Sequence, residues 1–180
     1  MSIEEIHTII FDFDGVFTDN KVHVDQVGNE MVCCDRRDGL GIDMLRRHMS
    51  NHENLDVFIL STETNPVVSA RAEKLKLKCT QSQGDKLTFL KSYLQKRFGC
   101  YEEYYKGVVY LGNDLNDLSV MKVVGYSVAP QDAHDQIKGV ADCVYKQNGG
   151  DGFVRAFIEN LISNCENLKI NKKKVFKGLR

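Results

Sequence analysis

Two aspartates close an apolar run near the start of the chain, Asp12 and Asp14 within IIFDFDGVFTDN, Ile9 to Asn20. A carboxylate at the end of a buried strand is costly unless it is paired, hydrogen-bonded or bound to a metal. Three further segments carry groups that would offset this cost. Ser61-Thr62-Glu63-Thr64 follows the apolar run LDVFIL, Gly84-Asp85-Lys86 opens a helical pattern, and Gly112-Asn113-Asp114-Leu115-Asn116-Asp117 follows GVVYL. Two carboxylates with a third oxygen ligand suit a hard cation such as Mg2+, which takes carboxylate and water oxygens. A hydroxyl, main-chain N–H groups and a lysine suit a phosphate. A carboxylate can also act as a nucleophile and form an aspartyl-phosphate, while a second carboxyl protonates the leaving alcohol. The implied chemistry is hydrolysis of a phosphate ester. A carboxylate about 4 Å from one phosphate charge is repelled by on the order of 4 kcal/mol near a protein surface. Magnesium and Lys86 would supply the compensating charge.

Bringing these segments to one crevice is a task for an α/β sheet. Strand-like runs recur at 7–11, 55–60, 107–111, 125–129 and 141–145. Helical patterns over 39–49, 65–77, 85–98, 114–124 and 152–164 fall between or after them. Strands alternating with helices predict a Rossmann-like α/β domain of three layers with a mainly parallel sheet. In such sheets ligands bind beyond the carboxyl ends of the strands, where the reactive segments lie. Asn65-Pro66 reads as an N-cap followed by the residue best tolerated at the first helical position, and Asp85 reads as the N-cap ahead of Lys86. The rhythm breaks at 21–34, KVHVDQVGNEMVCC, which predicts a β-hairpin around Gly28-Asn29, inserted after the first strand so that it overhangs the aspartates.

Composition excludes several classes. The chain has 180 residues, enough for one domain with a sizeable core, and a formal net charge of −1. That charge gives no bias toward nucleic acid or an anionic membrane. No apolar run is long enough to span a bilayer. The N-terminal MSIEEIHTII has acidic residues where a secretory signal needs basic ones, so a cytoplasmic protein is expected. The six cysteines form no CxxC and no zinc-type spacing, which fits reduced thiols. The histidines, His7, His23, His48, His52 and His134, are scattered. The phosphatase domain is expected over 1–168, followed by a basic C-terminal tail, 169–180.

Taken in order, DFDGV, Ser61, Lys86 and GNDLND resemble the four motifs of the haloacid dehalogenase superfamily of phosphotransferases. The hairpin, the Arg37-Asp38-Gly39 segment and the late run Gly149-Gly150-Asp151-Gly152-Phe153-Val154-Arg155 resemble its capless branch. That branch dephosphorylates sugar acids such as 2-keto-3-deoxynonulosonate 9-phosphate and 3-deoxy-D-manno-octulosonate 8-phosphate. The resemblance implies no cap domain and a homotetramer assembled by the hairpins, in which a neighbouring subunit helps to close the site. It implies Asp12 as nucleophile and metal ligand, and Asp14 as general acid–base that also offers its main-chain carbonyl to the metal. Ser61 and Lys86 would hold the phosphoryl group, and Thr62 and Arg37 are expected near the substrate. The segment Glu63 to Leu75, with Arg71 and Lys74, resembles the nonulosonate enzymes, where such residues contact the sugar acid. A phosphorylated nonulosonate is therefore the favoured substrate, and octulosonate 8-phosphate the alternative.

One residue departs from the pattern. The family usually has aspartate, a direct magnesium ligand, where this chain has Asn113. An amide oxygen can ligate, but with one negative charge fewer, and Asp114 or Asp117 would then support the metal. The C-terminal module of animal sialic-acid cytidylyltransferases resembles this chain at the same position. A weakened module that serves oligomerisation is the second expectation.

Overall fold

The computed structural model describes residues 5–48 and 54–164. Five parallel strand pairings build one six-stranded sheet. Its strands are β1 (Thr8–Phe11), β4 (Asp56–Leu60), β5 (Lys78–Thr80), β6 (Val108–Leu111), β7 (Tyr126–Ala129) and β8 (Cys143–Val144). The helices are α1 (Arg36–His48), α2 (Val67–Leu75), α3 (Lys86–Phe98), α4 (Leu118–Met121), α5 (Asp135–Val140) and α6 (153–164). The hairpin, β2 (Thr18–Val24) with β3 (Glu30–Cys34), forms a separate two-stranded sheet.

Strand order across the main sheet is β5-β4-β1-β6-β7-β8. The chain leaves β1 toward β4 and β5, then returns to the other side of β1 with β6. The order reverses beside β1, and a crevice opens there beyond the strand ends. Phe11 pairs with Ile59 on one side and Leu111 on the other. Asp12, Ser61 and the Gly112-Asn113 pair follow closely on these positions, so parallel register alone brings three of the reactive segments together.

The β1 side chains are all buried, as a central parallel strand covered on both faces requires. They alternate between two cores. Ile9 and Phe11 pack with Ile42 and Leu45 of α1, Val68, Ala72 and Leu75 of α2, and Phe153, Val154 and Phe157 of α6. Ile10 packs on the opposite face with Leu90 and Leu94 of α3, Met121 of α4 and Ile137 of α5. The result is three layers, with no cap domain among the described residues.

Several boundaries differ from the sequence expectation. α1 begins at Arg36, ahead of Gly39. α2 begins at Val67, whose N–H donates to Asn65 Oδ1 at 3.0 Å, and ends where Lys76 adopts φ +54°. The helix expected over 114–124 divides into a 3-10 turn, Leu115–Asp117, and the short α4. The strand expected at 141–145 shrinks to Cys143–Val144. β5 and α5 carry no clear sequence signal: β5 is a three-residue edge strand, Lys-Cys-Thr, too short for a visible alternation. The hairpin starts earlier, at Thr18, and its connection is longer than a two-residue Gly28-Asn29 turn. Asp25 closes it by accepting from the N–H groups of Val27 and Asn29, both at 2.9 Å, and Gly28 takes φ +87°. The tail 169–180, His52 and Cys165 lie outside the described residues.

The late glycine run braces the loop that follows Asp14. A Cβ on Gly149 would stand 2.0 Å from the Gly15 carbonyl oxygen, and Gly150 N–H donates to Val16 O at 3.2 Å. Gly149→Ala is expected to cost about 1–3 kcal/mol through overpacking against main chain, read by urea unfolding; an unchanged midpoint would mean that the loop gives way freely.

Asp38 joins α1 to α6. It is fully buried, and one oxygen accepts from the main-chain N–H of Arg155, in the first turn of α6, at 2.9 Å; the other oxygen has no partner. Burial pushes its carboxyl up to about 6, against the Arg155 N–H that favours the anion. The unfolded chain releases this proton near pH 4. Between roughly pH 4 and 6 the folded chain binds more protons than the unfolded one, so this group makes stability fall as pH rises. Asp38→Asn is expected to gain about 1–3 kcal/mol near pH 7.5 relative to the native chain, and nothing near pH 4, measured by urea unfolding at both values.

Candidate active site

Asp12 follows β1, and its main-chain N–H donates to Leu111 O at 2.9 Å, so the sheet fixes its backbone. Its side chain is buried, and Oδ1 accepts from Phe13 N–H at 2.7 Å. Lys86 Nζ lies 2.8 Å from the same oxygen. Lys86 opens α3 because Asp85 caps that helix, accepting from Thr88 N–H at 2.9 Å. Lys86 is itself buried, and Nζ also donates to Asp117 Oδ1 at 2.7 Å. Burial works against the ammonium, but the two carboxylates outweigh it and hold the Lys86 pKa above the ordinary lysine value. Burial and the neighbouring Asp117 push Asp12 well above the usual carboxylate range. With both carboxylates ionised the cluster carries an excess negative charge, which a further cation would balance.

Asp117 is occupied on both oxygens. Oδ1 also accepts from the Tyr110 hydroxyl at 2.6 Å, and Oδ2 accepts from the N–H groups of Asn113 and Asp114 at 2.9 and 3.3 Å. It therefore organises the loop and Lys86 and has no oxygen left over for a metal. Asp114 accepts from its neighbour's main chain, Leu115 N–H, at 2.7 Å, and faces the cavity. Tyr110 is the residue that sequence reasoning missed here; its signal was a hydroxyl within a wholly apolar strand, which needs a partner when buried.

Asn113 is held by its backbone, with its N–H on Asp117 and its carbonyl accepting from His134 N–H at 2.9 Å. Its side-chain Oδ1 is buried with no hydrogen-bond partner. Such an orphaned oxygen is rare and calls for a ligand. Among the described residues no three His, Cys, Asp or Glu side chains gather around a metal position. Asp12, Asp14 and Asn113 line one cavity, and their oxygens are hard donors of the kind that would suit Mg2+. Asn113 also packs against Gly15, where an added Cβ would lie 1.9 Å from Nδ2. Gly15 takes φ +74°, so glycine is required there twice over.

Asp14 is half-buried and lines the cavity. Burial raises its carboxyl pKa, and the charges of Glu63 and, more weakly, Glu30 add to this against Lys86. Ser61 is buried beneath the loop; its Oγ accepts from Glu63 N–H at 3.0 Å, which leaves its O–H to donate. Glu63 in turn accepts from Thr64 and Asn65 N–H at 2.6 and 2.9 Å, which holds its pKa below the usual glutamate value. The cavity of about 430 Å³ is lined by Asp12, Asp14, Thr62, Glu63, Asn113 and Asp114 of the expected site. Asn20, Glu30, Asn65 and Asn116 also line it and were not anticipated; their amides and carboxylate sit on the hairpin and the strand-end loops without any motif spacing.

Ser61 and Lys86, expected at the phosphoryl group, lie buried outside the cavity lining, and Arg37, Arg71 and Lys74 do not line the cavity of their own chain either. Arg37 turns toward Asp35, with Nε 2.7 Å from Oδ2, and pairs with Asp151. Arg71 donates to Asp35 O at 3.0 Å beneath the hairpin. Lys74 is exposed on α2. No helix among the described residues is long and apolar enough to cross a membrane.

Residues 42–157 match the family model of haloacid dehalogenase-like hydrolases. The chain belongs to that family. It is 31% identical over 166 residues to the 3-deoxy-D-manno-octulosonate 8-phosphate phosphatase of Haemophilus influenzae, covering 89% of this chain and 84% of that protein. Among solved structures, a protein assigned to the HAD hydrolase family from Streptomyces avermitilis superposes with a TM-score of 0.79 and 40% identity, covering 91% of this chain and 88% of that one. The octulosonate phosphatase of Moraxella catarrhalis, solved with magnesium, phosphate and the sugar acid, gives a TM-score of 0.78 at 25% identity, covering 96% and 95% of the two chains. This hydrolase acts on phosphoric monoesters, as its family and its phosphatase relatives establish. Asp117→Ala should destabilise it by about 3–5 kcal/mol, because it strips Lys86 and Tyr110 of a buried shared partner. Urea unfolding measures the loss, and one below about 1 kcal/mol would mean the cluster relaxes around water.

Proposed function

We propose that this hydrolase dephosphorylates a phosphorylated sugar acid through an aspartyl-phosphate on Asp12, with a nonulosonate 9-phosphate as the favoured substrate. The observation that carries the reading is Asp12, paired with the buried Lys86 and lining a polar cavity beside Asp14. Asp12 attacks phosphorus while Lys86 and the Ser61 hydroxyl hold the phosphoryl oxygens. The bond to the sugar oxygen breaks, and Asp14, whose pKa is raised by burial and by the Glu63 charge, protonates the leaving alkoxide. Asp14 then takes a proton from the water that attacks the acyl-phosphate, and Asp12 is released with free phosphate. Mg2+, when held by Asp12, the Asp14 carbonyl and Asn113, supplies positive charge against the phosphate dianion.

The substrate preference is supported by the Glu63, Arg71 and Lys74 pattern. In a homotetramer Arg71 and Lys74 of one copy would meet the sugar-acid carboxylate in another, where a guanidinium matches a carboxylate bidentately. The octulosonate 8-phosphate activity of the curated relatives is the nearest competitor. A second reading, a weakened module whose role is assembly, is favoured by Asn113 alone, which removes one charge from the metal set.

Phosphate release from nonulosonate 9-phosphates and octulosonate 8-phosphate, followed across a magnesium titration, tests both readings. Magnesium-dependent turnover faster on the nonulosonate is expected. Asn113→Asp should lower the magnesium concentration for half-maximal rate about tenfold, because an added ligand charge tightens cation binding. No release from folded native protein and from Asn113→Asp alike would leave the assembly reading.

A further inference from the structure

The cavity has a wall that the chemistry above does not use. β2 and β3 present one face to it, carrying Asn20, Val22, Glu30 and Val32. Val22 and Val32 are cross-strand partners, and their alternation leaves His23 and Met31 on the opposite face. The ladder shifts register between Thr18 and Val22, and Asn20 within that bulge takes φ +60°. Bulges beside active sites re-aim side chains, and this one sends an amide to the cavity. Glu30 is held in place: Asn65 Nδ2 donates to its Oε2 at 2.8 Å, while Asn65 Oδ1 caps α2. Hairpin and helix are thus joined across the mouth of the site.

Charge defines what this wall can meet. Asp14, Glu30, Glu63 and Asp114 line the cavity, with Asn20, Asn65, Asn116 and Thr62, and no lysine, arginine or histidine is among the lining residues. An anionic tail lying along this wall would be repelled. Hydroxyl groups are the matching donors, since a hydroxyl on a fixed carboxylate makes a charge-assisted hydrogen bond. The two valines suit the C–H faces between hydroxyls. Glu30 is pre-positioned by Asn65, which removes an ordering cost on binding.

We propose that this hairpin face reads the leaving group, and that Glu30 is a specificity-determining residue selecting a hydroxylated carbon chain next to the phosphate. The inference rests on the phosphatase reading and adds that recognition within one chain is of hydroxyls, not of the acid. The test uses the full chain with magnesium and two esters of equal carbon number, sorbitol 6-phosphate and hexyl phosphate. The native protein should favour sorbitol 6-phosphate in kcat/KM by at least about tenfold. Glu30→Ala should cut that ratio about tenfold. Glu30→Gln, which keeps an acceptor for Asn65, should cut it less. A native ratio near one, or a ratio that neither variant changes, overturns the role of Glu30. Hydrolysis of p-nitrophenyl phosphate isolates the phosphatase reading: turnover of that ester with a flat ratio rejects Glu30 alone. No hydrolysis of any ester at any magnesium level rejects both.

Discussion

The site depends on one buried ammonium. Lys86 Nζ sits between Asp12 and Asp117, within 2.8 Å of each, with no solvent exposure at its side chain. Burying any one of these charges alone would be strongly unfavourable, and their mutual attraction offsets the desolvation only with good geometry and further hydrogen bonds. The fold provides both. Asp117 is saturated by Tyr110, Asn113 and Asp114, and one oxygen of Asp12 is held by Phe13. Each of these partners belongs to a strand end or the turn just beyond one. The cluster therefore ties β1, α3 and the β6 loop into one rigid floor, and the substrate meets groups already in position.

Above this floor the structure is looser and more polar. The Ser61–Asn65 loop is stitched by side chains accepting from its own main chain, in the order Ser61, Glu63, Asn65. The hairpin leans on it through Glu30 and Asn65. Buried charge thus gathers at the sheet ends, and hydrogen-bonding groups gather on the loops and hairpin.

Much of this arrangement was legible in the sequence because it is local. A buried parallel strand followed by DFDG, an apolar run followed by Ser-Thr-Glu, and Asp85 capping the helix that begins at Lys86 are all short-range patterns, and parallel register then brings them together. What was not legible is long-range. Asp117 was a candidate metal support by resemblance to the family pattern, whereas in the fold Lys86, Tyr110 and two loop N–H groups occupy its oxygens. Arg37 and Arg71 carry the charge a substrate acid needs, and within their own chain they contact Asp35 and Asp151 rather than the cavity. The edge strand β5 is specified by its place beside β4 rather than by its own three residues.

The contact between Gly15 and Asn113 has an evolutionary reading. With the amide packed where any Cβ at position 15 would stand, the two positions cannot vary independently. Exchange between asparagine and aspartate at 113 preserves shape, so charge at this position can change without repacking. Enlarging residue 15 is closed twice, by that amide and by its own positive φ.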